Sequence, residues 1–267
     1  MRGQRRYYAP RGRVAKNFII LCHGRSGSTF LQKELHRHST IHCYGELYHE
    51  KGMRFLISES NSFFTRRQRD PIGYIDYMYA RRTRHNIVGS KILYPEISKA
   101  ALDILCKDQT FNVIFLYRKN ILETAVSMII TGKLGLWHID KGHIPPTPQP
   151  FAIDINELKG YINTITTFIE TVKKSTNPCI FPVAYEDLIN LEMVNKIIDF
   201  IGIKEYKTSL TSNTDKLCSE KMYETILNRK EIEDQFGTMY GYLGKSSDIE
   251  YWKQFEPKSP ATPESTN

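Results

Sequence analysis

With 267 residues, 40% of them hydrophobic, the chain can bury one sizeable core and stands near the upper limit for a single domain. Its 37 Lys and Arg against 29 Asp and Glu leave a formal charge of +8, which favours an anionic partner without separating nucleotide, polyanion, nucleic acid and membrane surface. The longest apolar runs, Phe18 to Cys22 and Val113 to Tyr117, are too short to cross a bilayer, and no apolar run follows the basic start as a secretory signal requires.

Residues 1–16 carry Arg2, Arg5, Arg6, Arg11, Arg13 and Lys16 with almost no aliphatic side chains, and are expected to form a disordered basic tail. One domain is expected over 17–257, followed by a second disordered tail at 258–267, where Pro260 and Pro263 stand among Ser and Thr. Short β-branched or aromatic runs at Asn17–Cys22, Ile41–Tyr44, Asn86–Lys91, Asn112–Tyr117 and Cys179–Ala184 predict strands. Between them, Thr29–His38, Asp70–Arg82, Pro95–Lys107, Ile121–Thr131, Ile153–Lys174 and Asp187–Phe200 have helical length and spacing. The alternation implies an α/β fold in three αβα layers with a mostly parallel sheet, like that of the P-loop NTPases. His138 to Pro150 holds four prolines and reads as a long surface loop.

Cys22, Cys43, Cys106, Cys179 and Cys218 are scattered and form no C-x-x-C pair, a usage that fits a reducing compartment and, with no signal or span, a cytoplasmic protein. Cys22 and Cys179 lie in apolar runs and read as buried hydrophobes. None of the eight histidines has ligand spacing, so no metal site is assigned.

The chemistry concentrates where the first strand meets the first helix. His23-Gly24-Arg25-Ser26-Gly27-Ser28-Thr29 leads into Phe30-Leu31-Gln32-Lys33-Glu34-Leu35, a glycine-rich turn followed by an amphipathic helix. Such a turn aims backbone N–H groups at one point while the helix dipole adds positive charge, so a phosphate is its natural occupant. Gly24 and Gly27 permit close approach, Arg25 adds a charged fork, and Ser28 and Thr29 add hydroxyls. A lysine would follow the second glycine of a Walker A loop, but Ser28 stands there, which counts against ATP with magnesium.

At Gly24-Arg25-Ser26-Gly27-Ser28-Thr29 the chain resembles the sulfotransferases that use 3′-phosphoadenosine 5′-phosphosulfate (PAPS), whose loop reads P-[KR]-S-G-[ST]-T, with Gly24 in place of the proline. The resemblance implies that residues from Gly24 to Phe30 hold the 5′-phosphosulfate, with Arg25 also acting in catalysis. A 3′-phosphate site is implied at Arg118, at the end of the strand Val113 to Tyr117, and at Ser127 on the next helix. Arginine in the loop, and a Thr131 to His138 stretch similar to T-G-L-W-H, suit the bacterial carbohydrate sulfotransferases of the trehalose and nodulation-factor type. In those relatives a glutamate shortly after the loop is the base, a position that Glu46 matches, with His23, His49 and His138 as competing bases. Lys91 matches a lysine that borders the acceptor pocket. Tyr185-Glu186-Asp187-Leu188 resembles a Y-E-D-L segment in which Glu186 and Asp187 start a helix. The C-terminal R-K-G element of cytosolic sulfotransferases is absent, and Asn228-Arg229-Lys230 is a weak substitute.

The implied activity is sulfuryl transfer from PAPS to a hydroxyl of a carbohydrate or glycolipid, releasing 3′-phosphoadenosine 5′-phosphate (PAP), with no metal required. Segments Lys51 to Asp70 and His138 to Pro150 would shape specificity, and the basic stretches suit an anionic acceptor or membrane surface. Two alternatives stand: a small-molecule P-loop kinase, and a non-enzymatic nucleic-acid binder using Arg66-Arg67-Gln68-Arg69 or Arg81-Arg82-Thr83-Arg84. The kinase lacks both its lysine and a strand-terminal aspartate, and aromatic residues beside the basic clusters read equally as core.

Overall fold

The computed structural model describes residues 16–49, 67–80, 87–137, 142, 146–210, 220–245 and 248–255. Residues 1–15 of the first tail, the whole second tail, the cluster Arg81-Arg82-Thr83-Arg84, Arg66, His138, Cys218 and most of segment 51–70 therefore lie outside the described residues.

Five strands, β1 (Phe18–His23), β2 (Ile41–Glu46), β3 (Ile87–Tyr94), β4 (Asn112–Tyr117) and β5 (Ile180–Ala184), form an all-parallel sheet in the order β2-β3-β1-β4-β5. The helices between them are α1 (Ser28–His36), α2 (Pro71–Tyr79), α3 (Lys99–Lys107), α4 (Ile121–Leu134), α5 (Ile155–Lys173) and α6 (Leu191–Phe200). The expected α/β class and all five predicted strands are present. β1 and β3 run further than expected, to His23 and Tyr94, so His23 belongs to a strand.

β1 is apolar throughout because both of its faces are covered. Ile19 and Leu21 pack with α2, α3, α4 and α5, whereas Phe18, Ile20 and Cys22 pack with Leu31 and Leu35 of α1 and Val194, Ile197 and Ile198 of α6. Three layers result. Helix starts follow local chemistry: Asp70, Ser98, Asn120, Asp154 and Asn190 each accept a backbone N–H from the first turn of the helix they precede.

The segment expected to be a helix from Asp187 divides in two. Tyr185–Asp187 is a 3-10 turn and α6 begins only after its cap Asn190, so Glu186 and Asp187 do not start that helix. Beyond Gly202, where periodicity gave little, the chain adds α7 (Glu220–Glu224), α8 (Arg229–Tyr240) and a 3-10 turn at Glu250–Phe255. Among the described residues no helix is long and apolar enough to cross a membrane. Cys22, Cys43 and Cys106 are buried free thiols, but Cys179 is only half-buried, because it precedes β5 rather than lying inside it.

Candidate active site

The loops after β1 and β4 diverge. Strand β1 feeds α1 on one face, while its neighbour β4 feeds α4 on the other, which opens a crevice at their carboxyl ends. Arg25 and Gly27 take the turn in left-handed conformation, at φ 63° and 83°. Glycine is required at 27, since a Cβ there would overlap the Tyr185 ring, and Gly24 sits close to the Met128 side chain. Ser26 is fully buried and donates to the His23 carbonyl at 2.8 Å, which fixes the turn from inside. The N–H groups of the first turn of α1 have no intrahelical acceptors and no side-chain cap, a feature that suits an anion. The Phe30 side chain points away and packs against the α1–α6 core, leaving only its main chain to this turn.

Arg25 crosses the crevice. Its Nε donates to Ser127 Oγ on α4 at 3.2 Å and its Nη1 to the Trp137 carbonyl at 2.6 Å. The two motifs singled out in the sequence, 102 positions apart, thus meet in space.

Arg118 lies at the end of β4 and is buried. Its Nη2 pairs with Glu123 at 2.6 Å, its Nε is 3.9 Å from Glu186, and its guanidinium lies 5.0 Å from the centre of the Tyr185 ring. Glu123 in turn accepts from the Tyr223 hydroxyl at 3.0 Å and from Asn120 Nδ2 at 3.3 Å. Tyr185, which contacts both the loop and Arg118, and Glu123, which holds Arg118, carried no site signal in the sequence. Glu186 accepts the Lys119 N–H at 3.1 and 3.2 Å.

On the other side of β1, Lys91 Nζ lies 3.1 Å from Thr29 Oγ1 and 3.0 Å from Glu46 Oε1. This buried ammonium joins the loop to the candidate base. Beside it, ligand atoms of Glu46, His49 and Glu96 lie within 4.8 Å of one another. Spacing in the sequence could not reveal such a triplet, drawn from β2 and the turn after β3. The Lys91 ammonium already neutralises one Glu46 oxygen, which competes with any cation there.

His23 is a different case. Its ring is buried, lies edge-on to Phe168 and has Nδ1 2.8 Å from the Gly24 carbonyl. Burial lowers it to about 4, so it stays neutral near pH 7 and its Nδ1–H donates to that carbonyl. Its role is to hold the loop entry. Of the basic clusters, Arg67 is buried with its guanidinium 5.4 Å from the centre of the Tyr48 ring, whereas Arg69 is exposed. Arg229 bonds to Glu220 at 2.7 Å, Glu233 at 3.3 Å and the Leu243 carbonyl at 3.0 Å, tying the C-terminal region together.

A parallel α/β sheet with a glycine-bearing turn and a helix start after its central strand, and arginines at the ends of two neighbouring strands, is an arrangement suited to an anionic group such as a phosphate. No protein-family model matches the chain. It is 23% identical over 224 residues to Nodulation protein H of Rhizobium tropici, covering 82% of this chain and 88% of that one. Among solved structures it is similar to a sulfotransferase from Alicyclobacillus acidocaldarius, at 12% identity, TM-score 0.46 and 89% and 98% coverage of the two chains. It is likewise similar to the sulfotransferase domain of the Synechococcus PCC 7002 olefin synthase, at 14% identity, TM-score 0.47 and 96% and 100% coverage. The resemblance of Gly24–Thr29 and of Arg118 with Ser127 to the PAPS-dependent sulfotransferases, nearest in motif to the trehalose and nodulation-factor type, is thus accompanied by a likeness to Nodulation protein H along most of the chain.

Proposed function

We propose that the protein transfers a sulfuryl group from PAPS to a hydroxyl of a carbohydrate or glycolipid, releasing PAP and requiring no metal. The observation that carries the proposal is the chain of contacts Thr29–Lys91–Glu46, which couples the phosphate loop to a carboxylate.

In this reading the first-turn N–H groups of α1, with Arg25, Ser28 and Thr29, hold the 5′-phosphosulfate. Arg118 and Ser127 take the 3′-phosphate, the first as a charged fork and the second as a hydroxyl donor. Glu46 accepts the proton of the acceptor hydroxyl as the new O–S bond forms. The S–O bond to the 5′-phosphate breaks, and Lys91 and Arg25 neutralise the charge that develops on the departing phosphate oxygen. His49 is the competing base in the same cluster. His23 is a poor base for that role, because burial of its ring lowers its pKa to about 4.

Glu46→Gln keeps the side-chain shape but cannot take a proton. Binding of PAP should stay within about twofold of the parent, while transfer of labelled sulfate from PAPS falls by about 100-fold or more. A fully active Glu46→Gln removes Glu46 as the base.

A further inference from the structure

β3 ends at Tyr94, and the following turn brings Glu96 to the same end of the sheet as Glu46. This turn is held on both sides. The Glu96 N–H donates to the Leu93 carbonyl at 2.9 Å, and the Gln68 amide donates to the Glu96 carbonyl at 2.7 Å while accepting the Ser98 N–H at 2.7 Å. A backbone fixed in this way aims the side chain. One carboxyl oxygen, Oε2, is buried and makes no hydrogen bond among the described residues, although Glu46 and His49 lie within 4.8 Å. A buried polar atom without a partner in the fold is open to one supplied by a ligand or a water. The two carboxyls also differ in their neighbours: Glu46 is paired with Lys91, whereas Glu96 has no ion pair among the described residues.

We propose that Glu96 is an acceptor-binding residue, whose carboxyl O–H donates to a hydroxyl oxygen adjacent to the one that Glu46 deprotonates, so that the site selects polyols presenting neighbouring hydroxyls. The proposal rests on the reading of Glu46 as the base.

Electrostatics agrees with this division of labour. Burial first, then the charge of Glu46, raises Glu96 to about 7, while Arg67 and Lys91 pull in the opposite direction. The groups facing it are Glu46 at the end of β2, His49 just beyond, Lys91 on β3 and Arg67 ahead of α2. Of two nearby carboxyls in unlike surroundings, one carries the charge and the other the proton. A base needs only the first. The second is of use to an acceptor with another oxygen to anchor.

The test follows sulfate transfer from PAPS to trehalose, methyl glucoside and chitotetraose between about pH 5 and pH 9. Parent, Glu96→Gln and Glu96→Ala proteins are compared, with PAP binding measured alongside by calorimetry. The parent acceptor KM should rise as pH passes about 7, with the donor KM flat. Glu96→Gln should keep a low KM without that rise, because its amide donates at every pH. Glu96→Ala should show a KM about tenfold higher at acid pH with kcat changed by less than about threefold, the split expected for one lost hydrogen bond to substrate. A Glu96→Ala KM within about twofold of the parent, or a Glu96→Gln protein that keeps the parent pH profile, overturns the proposal. Binding of PAP without sulfation of any of the three sugars overturns the polyol assignment. Failure to bind PAP overturns the nucleotide reading beneath it.

Discussion

Gly27 is the position in the loop where sterics leave least freedom, because its left-handed φ and the Tyr185 ring each exclude a side chain. Gly27→Ala should lower stability by about 1–3 kcal/mol and abolish nucleotide binding. Urea unfolding with a midpoint equal to the parent's would contradict this account of the turn. His23 gives a prediction in pH. Its folded value of about 4 lies below its ordinary 6.5, so between these limits the unfolded chain binds a proton that the folded chain does not. Its stabilising contribution is complete above about 6.5 and is lost as pH falls towards 4. His23→Gln should therefore show a shallower loss of stability than the parent between about pH 7 and pH 4.5 in urea titrations, and an unchanged slope would refute it. Arg25, Ser127 and Glu46 were legible as site candidates because each stands in or near a short motif. Glu123 and Glu96 were not, since each comes beside a site residue only in the folded chain and a carboxylate in isolation looks like any surface residue, and the Y-E-D-L-like segment that holds Tyr185 pointed only to a strand–helix junction.

At the level of elements, the turn from β4 into α4 is held by residues far along the chain. Tyr223 bonds to Glu123, the Tyr242 carbonyl accepts from Asn120 at 2.7 Å, and Trp252 Nε1 donates to the Lys119 carbonyl at 2.8 Å. The C-terminal region thereby buttresses Arg118 through its buried partner. Tyr223→Phe removes one hydrogen bond to the buried Glu123 carboxylate and should cost about 1–2 kcal/mol in chemical denaturation. A cost near zero would show that the buttress contributes nothing. The five strands and the six helices α1 to α6 could be read in the sequence, because each is either a dense apolar run or carries a regular apolar stripe. The C-terminal helices could not. α7 has five residues, and α8 buries only Ile232, Phe236 and Gly237 among charged neighbours, so neither presents a stripe that periodicity can detect. The 3-10 turn at Tyr185–Asp187 was missed for a related reason: acidic residues suit a helix start, but here Glu186 caps the Lys119 N–H instead.

Across the whole molecule, the strand order accounts for the crevice, and the crevice accounts for Arg25 reaching Ser127 on the opposite side. The proposed function requires this crevice to recognise a nucleotide with phosphates at both its 5′ and 3′ positions, without magnesium. In the proposed function Arg118 is the residue that separates this ligand from others, because a 5′-phosphorylated nucleotide lacking a 3′-phosphate would not need it. The decisive measurement is calorimetric titration of the purified chain with PAP, AMP and ATP, each with and without magnesium, in the parent and in Arg118→Ala. PAP should bind independently of magnesium and at least about tenfold tighter than AMP, with that preference lost in Arg118→Ala, since one charge-assisted hydrogen-bonding contact is worth about that ratio. Magnesium-dependent binding of ATP in preference to PAP would contradict it and point to a kinase.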